Sequence, residues 1–216
     1  KNKTPLELEE AIQQLGARIN ISAGTEDIRI TANTLARNYA ATVELVKEIL
    51  LEPRWDAKEF ELIRQSVLSQ LKQQEGEPNS LAQNQYNELI YGNSNIRSRN
   101  LLGTASSVNE ITMDDLKSYY NNFISPSVTR IHVVGSLEKD KALASLKNLS
   151  VSWKPKKVEI PSWPVSAEKR SNKLFFYNVP DAKQSVLRIG YPALAVNDAD
   201  YYPANVMNYI LGGGGF

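Results

Sequence analysis

The feature that most constrains the fold is a change of hydrophobic period close to the start of the chain. Ala17, Ile19, Ile21 and Ala23 alternate with Arg18, Asn20 and Ser22. After a break of Gly24, Thr25, Glu26 and Asp27, Ile28, Ile30 and Ala32 alternate with Arg29, Thr31 and Asn33. A period of two across a Gly- and Asp-containing break predicts an antiparallel hairpin with one buried face. Most of the remaining chain repeats at helical spacing, so the hairpin needs helices as its cover.

Thr4, Pro5 and Glu7 form a helix-opening pattern, with Leu8, Ala11, Ile12 and Leu15 on one face and Gly16 as the stop. A helix over 38–51 turns Val43, Val46, Ile49 and Leu50 inward, and Pro53 ends it. Asp56 and Glu59 predict another capping box. The helix they open carries Phe60, Ile63, Val67 and Leu71 on one stripe and Gln65, Gln70, Gln73 and Gln74 on another face. Pro78 and Ser80 open a helix that runs through Leu89 and Ile90 to Gly92. Residues 93–111 are polar and read as irregular. Thr112 and Asp115 cap a helix with Leu116, Tyr119, Tyr120 and Phe123, whose aromatic rings read as core. Residues 129–135 are β-rich, and 139–149 are helical.

Residues 151–172 change character. They hold Pro155, Pro161 and Pro164, together with Lys154, Lys156, Lys157, Lys169 and Arg170. This reads as a basic, Pro-rich, solvated linker. Beyond it, 174–179 and 185–191 read as strands and 200–211 as a helix. The expected class is α+β, an antiparallel sheet with helices packed on one face over 1–150. A second domain begins at 173–216, cut before completion.

The reactive residues are few. The chain has one His and no Cys in 216 residues. That excludes a disulfide scaffold, Cys-based zinc sites and a Cys nucleophile. Lys and Arg number 25 against 24 Asp and Glu, a net charge of +1, which argues against a dedicated nucleic-acid binder. No apolar run is long enough to span a bilayer. His132 has no Asp or Glu within five residues, so local ligand spacing is absent. Glu7, Glu9 and Glu10, and Glu59 and Glu61, sit in first helical turns and read as solvated helix-start acids. Gly212, Gly213, Gly214 and Gly215 follow a helix and precede Phe216. A phosphate loop needs a preceding strand and a following Lys-Ser/Thr.

The ordered succession of motifs resembles the pitrilysin (insulinase-type) zinc metallopeptidase family, including its mitochondrial processing peptidase-like members. The stretch Lys1-Asn2-Lys3-Thr4-Pro5 matches the family just after its catalytic helix. Leu15, Gly16, Ala17, Asn20, Ser22 and Ala23 follow. Leu51, Pro53, Trp55 and Phe60 match next, then Gly103-Thr104, and then Ile111, Thr112, Asp115, Leu116, Tyr119 and Tyr120. Pro126 precedes Val133-Val134-Gly135, and Leu211-Gly212-Gly213 with Phe216 is similar to the glycine-rich loop of the next homologous domain.

The resemblance implies a clamshell with an active and a homologous non-catalytic half, and this chain fits the non-catalytic one. The His-x-x-Glu-His helix of active members is absent. Gln70 stands at the position of the third zinc ligand and Ile63 near the second glutamate; a neutral amide and an isoleucine are poor replacements. The implied cofactor is none in this chain, with zinc in the active half. The implied role is to close the chamber and position extended peptide. Implied partners are a His-x-x-Glu-His half, in the same chain or another subunit, and a peptide substrate; no nucleic acid and no membrane span are expected. Asn20, Ile21, Ser22 and Ala23 are the edge against which peptide adds as a strand, or a simple capped edge. A non-enzymatic scaffold or core subunit of an assembly is the alternative, and a generic α+β binding module a third. Absence of Cys is compatible with a bacterial envelope.

Overall fold

The computed structural model describes residues 3–163 and 173–213. Lys1, Asn2, Pro164, Lys169, Arg170, Gly214, Gly215 and Phe216 lie outside them. The class is α+β. The helices are α1 (Pro5–Gln14), α2 (Tyr39–Leu51), α3 (Ala57–Glu75), α4 (Pro78–Tyr91), α5 (Ala105–Glu110), α6 (Met113–Phe123), α7 (Lys139–Ser152) and α8 (Tyr201–Asn208). The strands are β1 (Arg18–Ala23) and β2 (Ile28–Asn33).

The hairpin forms where the alternation places it. β1 and β2 pair antiparallel from Arg18↔Asn33 to Ala23↔Ile28. The Gly24 N–H donates to the Asp27 carbonyl at 2.7 Å and closes the turn. Its apolar face is not buried as the alternation predicts. Ile19 and Ile30 are half-buried, but Ile21 is 51% and Ile28 45% exposed. Among the described residues the main cover over β1 is α1, which is too small to hide a whole face.

Helix starts follow the caps. Thr4 and Glu7 form a reciprocal box, as do Thr112 and Asp115. Asp56 accepts from the Lys58 and Glu59 N–H groups, a one-way cap in place of the expected box. Gly16 at φ 55° and Gly92 at φ 76° end α1 and α4 in a region that glycine enters without steric cost. One helix is missed by periodicity. α5 lies within the segment expected to be irregular, opened by a box between Thr104 and Ser107.

α2 packs on α7, and α3 on α4 and α5. The buried apolar residues are Leu45 in α2, Leu71 in α3, Val108 in α5, and Ala142 and Leu149 in α7. In α2 the deepest positions are Thr42 and Leu45, while the expected Val43, Val46, Ile49 and Leu50 are half-buried. The Thr42 hydroxyl bonds the Asn38 carbonyl at 2.9 Å, so a polar residue is tolerated there. The aromatic stripe of α6 is also shallower than expected: Tyr119 and Phe123 are exposed, stacked 4.9 Å apart between ring centroids. Tyr120 turns inward. Its hydroxyl donates to the Leu50 carbonyl at 2.6 Å, and its ring meets Trp55 edge-on at 5.6 Å.

The segments 129–135, 174–179 and 185–191 carry strand-forming residues but no ladder among the described residues. A strand needs a partner for its N–H and C=O groups, and composition does not supply one. The helix expected over 200–211 is observed as α8 followed by a π turn, Tyr209–Gly213, with Gly212 at φ 123°. In the 151–172 segment, Lys156 is docked. Its N–H donates to the buried Ser125 hydroxyl at 3.1 Å, and its ammonium reaches the Tyr120 and Asn121 carbonyls at the end of α6. A cation at a helix C-terminus meets the negative end of the macrodipole.

Candidate functional site

The hairpin edge is the first candidate. Among the described residues β1 pairs only with β2, so its other side is open. Antiparallel ladders alternate between residue pairs that exchange hydrogen bonds and pairs that do not. Gly24 and Asp27 are bonded, and the register continues through Ser22↔Arg29 and Asn20↔Thr31. Asn20 and Ser22 therefore spend their backbone groups on β2. Ile21 and Ala23 aim theirs outward, as does Ile19. Of the four edge residues singled out by resemblance, two have backbone groups directed away from β2.

The second candidate is the α3 face. Ile63 and Gln70 lie two turns apart on it, and Ile63 is 61% exposed. The Gln70 amide donates to the Ser66 hydroxyl at 3.2 Å. Among the described residues no group of three His, Cys, Asp or Glu stands together. An exposed isoleucine and a neutral amide bonded to its own helix do not fit zinc, which takes thiolate, imidazole or carboxylate. His132 is exposed in the unpaired 129–135 segment.

The glycine-rich loop is described through Gly213 only. Ahead of it, Tyr202, Pro203, Val206, Met207, Ile210 and Leu211 line an open apolar cavity of about 630 Å³. Neither this cavity nor the polar one described next draws residues from β1 or from the Ile63–Gln70 face.

The polar cavity, about 270 Å³, is made where α3 meets α4. Gln74, Gln83, Asn84 and Asn100 line it with Arg188. The Asn100 amide donates to the Gln74 carbonyl oxygen at 2.9 Å. Of the α3 glutamines, Gln74 alone lines it. Nothing in the sequence signals Arg188, which lies 88 positions beyond Asn100.

Among the described residues, the carboxylates with shifted titration are all helix caps. Glu7 is held below the usual range by the Thr4 N–H and hydroxyl, Asp56 by the Glu59 and Lys58 N–H groups, and Asp115 by the Thr112 hydroxyl and N–H. Burial raises Tyr39 and Tyr120. None of these is an acid–base pair aimed at a substrate.

Comparison with known proteins converges on one family. Residues 110–216 match the family model described as peptidase M16 inactive domain. The chain is similar to "Non-peptidase homolog YmxG" of Helicobacter pylori, 26% identical over 208 residues, covering 95% of this chain and 47% of that protein. It is similar to "Uncharacterized zinc protease YmxG" of Bacillus subtilis, 21% identical over 213 residues, covering 98% of this chain and 50% of that protein. It thus spans about half the length of these relatives. The crystal structure of a peptidase M16 inactive domain from Pseudomonas fluorescens has the same fold, with a TM-score of 0.79, 22% identity, and coverage of 100% of this chain and 52% of that one. Family model, relatives and fold agree: residues 110–216 match the peptidase M16 inactive domain, and nearly the whole chain is similar to M16-type (pitrilysin, insulinase-type) proteins.

Proposed function

We propose that this chain closes the chamber of an M16-type zinc peptidase and positions extended peptide for hydrolysis by an active half that carries His-x-x-Glu-His and the zinc. The observation that carries the reading is the open outer edge of β1, where Ile21 and Ala23 offer backbone donors and acceptors. Such an edge binds peptide through main-chain bonds and makes little demand on sequence. Gln70 and Ile63 agree with a half that holds no metal of its own.

The test uses proline. Ala23→Pro removes one outward N–H that β2 does not use, and edge positions tolerate proline. Loss of a hydrogen bond worth about 1 kcal/mol weakens binding of a labelled extended peptide roughly fivefold, with the circular dichroism spectrum unchanged. Unaltered affinity in this variant overturns the edge as the peptide site. Metal analysis adds a second check: the purified chain is expected to hold no stoichiometric zinc, and one tightly bound zinc per chain contradicts the inactive-half reading.

A second reading, a non-enzymatic scaffold subunit, draws on the name of the Helicobacter relative, a non-peptidase homolog. Mixing distinguishes the two. A chamber half restores peptide hydrolysis when added to a His-x-x-Glu-His half, and a scaffold does not.

A further inference from the structure

Among the described residues, the polar cavity between α3 and α4 combines a single cation with neutral amides, and no acidic side chain lines it. Arg188 has no carboxylate or carbonyl partner among the described residues, although its guanidinium carries five N–H donors. Asn100 occupies the Gln74 carbonyl oxygen, which leaves the Gln74 NH2 to donate elsewhere. Asn84 has no side-chain partner among the described residues either. The site is therefore rich in unused donors converging from three parts of the chain.

The position of Arg188 is built in. Two residues on, Gly190 lies directly against α4: a Cβ added there overlaps the Tyr86 hydroxyl. A side chain there requires the Tyr86 ring to move, so Gly190 lets the 185–191 segment lie close to α4, with Arg188 beside the amides.

We propose that Arg188 and the amides of α3 and α4 form a binding pocket for a carboxylate of the peptide, supplied by its C-terminus or by an acidic side chain. A planar guanidinium pairs with a carboxylate through two parallel hydrogen bonds. One positive charge matches a monoanion; a phosphate dianion calls for more cationic partners than line this cavity among the described residues. The amide groups suit the main-chain carbonyls and N–H groups that flank the carboxylate. The inference rests on the peptide-positioning reading, and the experiment separates the two.

Three labelled forms of one neutral, extended peptide are titrated by fluorescence anisotropy into the intact protein. One has a free C-terminus, one an amidated C-terminus, and one an amidated C-terminus with a single internal Glu. At least one acid form binds about fivefold to tenfold tighter than the neutral amide, the size expected of a charge-assisted pair at an exposed site. Which acid form gains identifies the source of the carboxylate. Arg188→Ala abolishes that preference and leaves the affinity of the neutral amide unchanged. Gly190→Ala abolishes it too, and adding Tyr86→Phe, which removes the clashing hydroxyl, restores part of it. Equal binding of all three forms by the natural protein overturns the pocket and leaves the edge reading standing. A preference that survives Arg188→Ala also overturns it. No binding of any form overturns both.

Discussion

At the residue scale, the most legible features are side chains that bond their own neighbours. The Thr4–Glu7 and Thr112–Asp115 boxes form as their spacing predicts. Their carboxylates have a pH consequence. In the folded chain Glu7, Asp56 and Asp115 ionise below the unfolded carboxylate value of about 4, because backbone and hydroxyl donors favour the charged form. Each therefore stabilises the fold above that value, and the contribution is lost as pH falls through the lower folded one. Helicity followed by circular dichroism is expected to fall on the acid side, and Asp115→Asn to flatten part of that fall. An unchanged acid limb in the variant counts against the cap as its origin. Ser125 belongs to the opposite class. It is 1% exposed and bonds Lys156, 31 positions away, which no local pattern announces. Ser125→Ala leaves the Lys156 N–H without its partner and is expected to cost about 1–3 kcal/mol in urea unfolding. A loss within about 0.5 kcal/mol, typical of surface changes, shows that the contact contributes little.

At the element scale, hydrophobic period identified the hairpin and seven of the helices. It missed α5, whose opening signal is Thr104 with Ser107 in place of the more recognisable Thr with Glu. It overstated 129–135, 174–179 and 185–191, where β-forming residues lack a partner strand among the described residues. The hairpin itself offers a contrast between neighbours. Ser22 lies in a pair bonded to Arg29, so Ser22→Pro removes a ladder bond, whereas Ala23→Pro does not. Hydrogen exchange in β2 is expected to quicken in the first variant and to stay near its natural rate in the second. Similar rates in both exclude the alternation on which the outward edge is assigned.

At the scale of the whole molecule, much apolar surface is left uncovered. The chain exposes 17047 Å² at a mass of 24.2 kDa. A compact monomer of that mass exposes about 10,000 Å². The difference exceeds a standard interface of about 1,600 Å² several times over. Apolar side chains account for part of it: Ile21 and Ile28 on the hairpin, Phe176 and Ile189 in the unpaired segments, and Tyr202, Ile210 and Leu211 around α8. Exposed apolar faces of this extent mark an interaction surface or an aggregation liability. The chain alone is accordingly expected to bind an apolar dye such as ANS and to self-associate on size exclusion, with both effects suppressed when the active half is present. A monomer that binds no dye contradicts the partnered reading.

What the sequence by itself determined is what depends on residues within about one helical turn of each other: caps, stops and the alternating pair of runs. These are near-neighbour interactions, and spacing along the chain encodes them. Only the tertiary structure decided which faces are covered, that Lys156 docks on α6, and that Arg188 meets the amides of α3 and α4. Those contacts join residues 30 or more positions apart. Their formation depends on how whole elements bury surface against one another, a property that no short window of residues contains.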